Sequence, residues 1–380
     1  MALIDKSEFV GLDGVAHLCT GGEAPWLRSH TKACERFGAL KSAGMAGREE
    51  IFRIAAGVRG RVAGLLGVEP AEVAFLAHAS EGLNQAVRSV EWGAGDNAVF
   101  ADLEYPSLIY PTALLRERGV EPRVIRTREH YLSIDELAAR VDRRTRLVLV
   151  SQVSYLTGQR LDLARCAEIA HGAGARLAVD ATHAAGVVPV AGGLCDFVVS
   201  SCYKWLLATH GVGLFAYSAR RVGELAPHTV GWHSVGHRGG AADPLAIDWR
   251  PDASRLEAGN PSLLGLAVLD NALARLGQLA PDEVEGHAWA LGGALIEGLR
   301  QRGVPVITPE APEERAGNVC FLAEDAAGLA SRLAAQRVLV WGGEGRIRVS
   351  PHVHCDREDL ERFFHALDRV GARPVGLPRG

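Results

Sequence analysis

Apolar and polar positions follow two rhythms along this chain, with a change near residue 218. Before it, short apolar runs recur at 73–76, 98–101, 123–126, 146–153, 176–180, 197–199 and 212–217. Their length and the turn residues that bound them predict buried strands. Segments with helical spacing separate them: 48–66, closed by Gly67, then a helix running to Val90, one to about Arg118, and 133–140 and 163–173. Strands alternating with helices predict a mostly parallel sheet covered on both faces. In such sheets ligands lie beyond the C-terminal ends of the strands.

After residue 218 the rhythm changes. Long helices at about 262–278 and 282–302 precede short strands at 304–307, 319–322, 337–340 and 346–349, with helices at 325–335 and 357–369. This reads as a smaller α+β domain. The division expected is an N-terminal segment, 1–20, packing on the small domain, a large domain at 21–250 and a small C-terminal domain at 251–380, with a frayed tail from Gly371.

Composition narrows the function classes. With 380 residues, 48% hydrophobic and 23% charged, the chain has material for a large core. A net charge of -4 offers no basic footprint for nucleic acid. No run of about 18 apolar residues predicts a membrane span, and the charged start, Asp5, Lys6 and Glu8, does not read as a signal peptide. Seven irregularly spaced cysteines without a C-x-x-C suit reduced thiols in the cytoplasm. The pairs His233/His237 and His352/His354 have metal-like spacing but no third ligand, so no metal is expected.

The candidate chemistry gathers at expected strand ends. Lys204 follows the strand at 197–199 after small polar residues, and Asp180 ends the strand at 176–180. Burial favours the neutral, nucleophilic amine of a lysine. The pair suits pyridoxal phosphate, whose aldehyde a lysine holds as an imine and whose ring nitrogen an aspartate keeps protonated. It equally suits a structural ion pair at a sheet edge. Ser80 follows another strand at a helix start, an anion-binding arrangement as well as an ordinary N-cap. Tyr105 and Gln152 close two further strands, and Tyr105 can stack on a flat ring or simply pack. No G-x-G-x-x-G follows a strand, which argues against a dinucleotide.

Five segments, in order, carry a likeness: Ala79-Ser80-Glu81, Glu104-Tyr105-Pro106-Ser107, Asp180-x-x-His183-x-x-Gly186, Ser201-x-Tyr203-Lys204 and Arg348-x-Ser350. Over about residues 20–370 the chain resembles the class V aminotransferase group of fold-type I pyridoxal phosphate enzymes, which includes cysteine desulfurases, selenocysteine lyases and kynureninases. The resemblance implies that Lys204 is the Schiff-base lysine and Asp180 the partner of the ring nitrogen. It implies that Tyr105 stacks on the ring, that Gln152 approaches the ring hydroxyl and that His183 contacts the cofactor. Ala79, Ser80, Ser201 and Tyr203 then form the phosphate cradle, and Arg348 grips the substrate α-carboxylate. Trp232 and Asn260 resemble the pattern in which a neighbouring subunit completes the phosphate site, which implies a homodimer with a shared active site.

Two departures matter. Desulfurases of this group carry a nucleophilic cysteine just before the arginine, and residues 338–347 contain none. His78 replaces a small residue and is a candidate substrate-facing acid or base. The expected activity on an amino acid is therefore C–S β-elimination without a persulfide cysteine. Transamination or epimerisation is the alternative, and a non-catalytic carrier or regulatory module is the alternative outside enzymes.

Overall fold

The computed structural model describes residues 1–236 and 247–371, so His237 and the tail from residue 372 lie outside the described residues. In chain order, β1 (Ala16–His17) precedes α1 (Arg28–Ser42) and α2 (Gly44–Leu66). Then β2 (Val73–Leu76), α3 (Ala79–Arg88), β3 (Asn97–Ala101), α4 (Pro106–Ala113), β4 (Glu121–Ile125), α5 (Ile134–Arg140), β5 (Thr145–Ser151), α6 (Leu163–Gly172), β6 (Arg176–Asp180), β7 (Phe197–Ser201) and β8 (Gly213–Tyr217) follow. The remainder holds α7 (Ala219–Val222), α8 (Leu263–Leu276), α9 (Pro281–Gln301), β9 (Val319–Leu322), α10 (Ala326–Ala335), β10 (Val338–Leu339), β11 (Trp341–Gly343), β12 (Arg346–Val349) and α11 (Arg357–Val370).

The central sheet has the order β2-β8-β7-β6-β5-β3-β4, and β8 alone runs against the others. The class is α/β, as expected. The register lines up the functional rim: Ser151 pairs with Asp180, and Gly213 pairs with both Leu76 and Ser201. The strands are apolar on both faces because both faces are covered. On β5, Val148 and Val150 join one apolar cluster with α2, α6 and α8, while Leu147 and Leu149 join another with α3. α5 begins at a reciprocal cap, where Ser133 and Glu136 each bond the other's backbone N–H.

The second core is built on the sheet β11-β12-β9 with α9, α10 and α11. β1 adds to β10 in parallel, and Lys6 reaches Asp359 at 2.9 Å. α8 and the first turns of α9, through Val284 and Ala288, pack with the central sheet; Leu291 and later residues of α9 pack with the second core. The strand expected at 304–307 does not form: Val306 makes only an isolated bridge to Phe321. α1 was not expected, and His30 is its only buried residue.

Candidate active site

The rim of the central sheet borders a cavity of about 130 Å³ that opens to solvent. Asp180 ends β6 with its carboxylate buried, and the Thr182 N–H donates to Oδ1 at 2.8 Å. Burial pushes its pKa up, against the pull of Thr182 and Lys204. Lys204 leaves the loop between β7 and β8 with Nζ 5.8 Å from the Tyr105 ring centre and 5.6 Å from that of Tyr203. Burial, and then the Arg348 charge, lower the amine to about 8.

His183 stands against Lys204. Its Nδ1 accepts from Trp205 Nε1 at 3.3 Å and Asn318 Nδ2 at 3.0 Å. The ring proton of the neutral imidazole therefore sits on Nε2, which lies 3.2 Å from Lys204 Nζ. Burial, then Lys204 and Arg348, hold the His183 pKa well below its usual value, so the ring stays neutral and its Nε2–H can donate to the Lys204 amine once that amine has lost its proton.

The opposite end of the cavity is a place for an anion. His78 caps α3 by accepting the Glu81 N–H on Nδ1 at 3.0 Å, and the backbone at Ala79 and Ser80 opens the helix toward the cavity. Ser80 and Ser107 hydroxyls meet at 2.7 Å there. Gly213 is required beside them: a Cβ would lie 2.3 Å from the His78 carbonyl carbon. Ser201, Thr182 and Tyr203 complete the wall, and His210 stacks on Tyr203 with ring centres 4.0 Å apart.

Comparison with known proteins decides the family. The profile described as aminotransferase class-V matches residues 34–363. The chain belongs to the class-V aminotransferase family. It is a pyridoxal-phosphate-dependent enzyme. A cysteine desulfurase of Salmonella choleraesuis (strain SC-B67) is 29% identical over 323 residues, covering 79% of this chain and 78% of that one. The apo cysteine desulfurase of Thermococcus onnurineus NA1 superposes with a TM-score of 0.87 at 20% identity, covering 96% of both chains. The cystine C-S lyase C-DES in complex with cysteine persulfide gives 0.86 at 23% identity, covering 94% of this chain and 98% of that one.

The residues of this class-V enzyme fit the cofactor. A buried acid with its pKa pushed up faces the cavity, a lysine with a lowered pKa stands beside it, and a helix N-terminus closes the far end. Of the residues expected from the sequence, His78, Ala79, Ser80, Tyr105, Asp180, His183, Ser201, Tyr203 and Lys204 all line the cavity. Gln152 does not. Its neighbours Ser151 and Val153 face the cavity, so alternation along the chain turns Gln152 to the opposite face, where Nε2 donates to the Pro189 carbonyl at 2.8 Å. Arg348 is buried behind the wall, donating from Nη1 to the Tyr155 carbonyl at 2.9 Å, with Nε unpartnered. Trp232 and Asn260 are exposed and do not line this cavity. Their loops touch, since a Cβ on Gly231 would meet the Ala258 carbonyl oxygen. His352 and His354 each bond a backbone carbonyl, of Trp205 and His17.

Sequence reasoning missed five wall residues, Ser107, Ser151, Val153, Tyr155 and Thr182, and one behind them. Ser107 supplies a hydroxyl beside Ser80, Thr182 bonds both Asp180 and the Ser201 N–H, and Tyr155 stands edge-on to Tyr105 at 5.1 Å. Glu104 is buried behind the rim, accepting from the Ser151 N–H at 2.9 Å and from the Ser151 hydroxyl. Burial raises its pKa to about 7, and Asp180 adds to the rise. The signal for Ser107 and Glu104 lay in the Glu104-Tyr105-Pro106-Ser107 segment; Thr182 carried none.

Proposed function

We propose that this enzyme eliminates the sulfur substituent of a cysteine-like amino acid, acting as a C–S lyase without a persulfide cysteine. The observation that carries the reading is the Lys204–His183 contact: a buried amine lowered to about 8, held at 3.2 Å by a neutral imidazole, in a cavity with an acid at one end and an anion site at the other. Bound pyridoxal phosphate supplies an aldehyde that condenses with amines and a ring that draws electrons from Cα. With the cofactor bound, Asp180 would keep the ring nitrogen protonated, Ala79, Ser80, Ser107, Ser201 and Tyr203 would hold the phosphate, and Tyr105 would pack against the ring. His183 directs its Nε2–H at the Lys204 amine, which takes the Cα proton and returns it to the departing sulfur or to solvent. Arg348 orients the α-carboxylate through a bidentate fork.

The likeness to a cystine C-S lyase supports this chemistry, and so does the lack of cysteine in residues 338–347. The Arg348 charge draws down the pKa of Cys19 and of Cys320, yet burial outweighs that pull and keeps both as thiols. The exposed positions of Trp232 and Asn260 support a homodimer in which these residues of a second copy complete the phosphate end. No single helix among the described residues is long and apolar enough to cross a membrane, and the seven free thiols suit a cytoplasmic enzyme.

The test is incubation of the reconstituted protein with cysteine and S-substituted cysteines. Release of pyruvate and a thiol or sulfide is expected, with borohydride trapping the cofactor on Lys204. Amine transfer dependent on a 2-oxo acid, with no pyruvate, would make the enzyme an aminotransferase and end the lyase reading.

A further inference from the structure

β12 reads Arg346-Ile347-Arg348-Val349 and is buried throughout. Ile347 and Val349 enter the second apolar core, so alternation places both arginines on the other face. Each guanidinium is 3% exposed as a residue. On Arg346, Nη1 bonds Glu344 at 2.8 Å, while Nε and Nη2 have no partner. On Arg348, Nε has none. One aromatic ring serves both: Trp341 lies 4.8 Å from the Arg346 guanidinium carbon and 5.0 Å from that of Arg348. The Tyr155 ring lies 5.3 Å from Arg346, and Tyr155 is a wall of the Lys204 cavity.

This is a costly arrangement for a fold to keep. Two like charges are buried side by side with three unpartnered nitrogen donors, and an unmet buried donor is destabilising, more so when charged. Glu344 offsets little, because its side chain is 62% exposed and such pairs are weak. The strand pairing of β12 is made by backbone and needs no arginine. Two anionic groups on one ligand answer the three open donors and both charges. Residues two apart on a strand are roughly 6.5 Å apart. That is about the distance from an α-carboxylate to an acid four or five atoms further along a side chain.

We propose that Arg346 is a second anion site of this enzyme, and that the substrate carries an acidic group, a carboxylate or sulfonate, at the far end of its side chain. The proposal rests on the reading that Arg348 takes the α-carboxylate. Tyr155 and Trp341 then bound the side chain between the two arginines, and an amino acid with a neutral side chain leaves Arg346 unmet.

The test compares S-carboxyethyl-cysteine with its equal-sized neutral partner, S-carbamoylethyl-cysteine, on the pyridoxal-phosphate-loaded protein. Binding is read by calorimetry and turnover by pyruvate release. Wild type is expected to bind the acid at least tenfold more tightly than the amide. In Arg346→Gln the acid loses at least ten times more affinity than the amide, and Arg346→Lys recovers part of the loss. Arg346→Met, which removes a buried charge and keeps the bulk, is expected to hold or raise the unfolding temperature while the acid preference disappears. Equal binding of both analogues to wild type overturns the proposal, as does an Arg346→Met protein that unfolds at markedly lower temperature. An acid preference without cleavage of either analogue sustains the anion site and refutes the lyase reading. Equal cleavage of both refutes the anion site and leaves the lyase reading standing.

Discussion

Glu104 offers a measurable consequence of burying an acid behind the rim. Its folded-state pKa of about 7 stands above the usual 4.5 of a glutamate, with burial as the largest cause and Asp180 adding to it. A raised acid favours the fold when protonated, so its stabilising effect is complete below about 4.5 and is lost as pH rises through about 7. The shift of about 2.5 units corresponds to about 3.4 kcal/mol at high pH, at about 1.36 kcal/mol per unit. Between pH 5 and pH 8, where the unfolded acid is already mostly ionised at the start, the linkage relation leaves about 2.5 kcal/mol of that loss. Glu104→Gln removes the titration while its carbonyl still accepts the Ser151 N–H and its amide can donate to the Ser151 hydroxyl. Urea unfolding of cofactor-free wild type and variant at pH 5, 6, 7 and 8 gives the difference directly. The variant is expected to gain on wild type by about 2.5 kcal/mol across that range. A difference that stays flat within about 0.5 kcal/mol refutes the reasoning, because Glu104 would then titrate alike in both states.

Other outcomes follow from the same geometry. With the Lys204 amine at about 8, capture of added pyridoxal phosphate by cofactor-free protein, trapped with borohydride, should rise about tenfold per pH unit below 8 and level off above it; a rate independent of pH from 6 to 9 would contradict the lowered pKa. Gly213→Ala sets a methyl 2.3 Å from the His78 carbonyl carbon, so thermal unfolding should show a loss of about 1–3 kcal/mol together with weaker cofactor retention; unchanged stability and retention would count against the close approach. Gln152→Met, on the far face of β5, should disturb turnover far less than Tyr155→Ala, and the reverse ranking in kcat/KM would put the cavity wall in the wrong register.

The strands of the central sheet were legible because their burial on both faces makes continuous apolar runs. β6 spans Arg176–Asp180 as the run predicts, with the acid at its end. The same property hid the face each residue takes. On β5 almost every position is buried, so apolar alternation carries no direction, and the face taken by Gln152, the residue after the strand, was not legible. α1 escaped because it is polar nearly all round and no side chain caps its start. Residues 304–307 are apolar but make only the Val306–Phe321 bridge, so the apolar run carried no strand. Arg346 went unnoticed because a strand pattern gives no warning that a charged side chain has been buried.

The seating of Arg348 has a consequence for how the enzyme is made. The guanidinium lies against Gly21 and Gly22, and the Ser350 N–H bonds the Leu18 carbonyl at 2.7 Å. These contacts join segments more than 300 residues apart, so the strand that carries Arg348 is made long after the segment it packs on, and that earlier segment must wait for it before finding its neighbours. The pocket around the Arg348 guanidinium is thus closed only once β12 has been made.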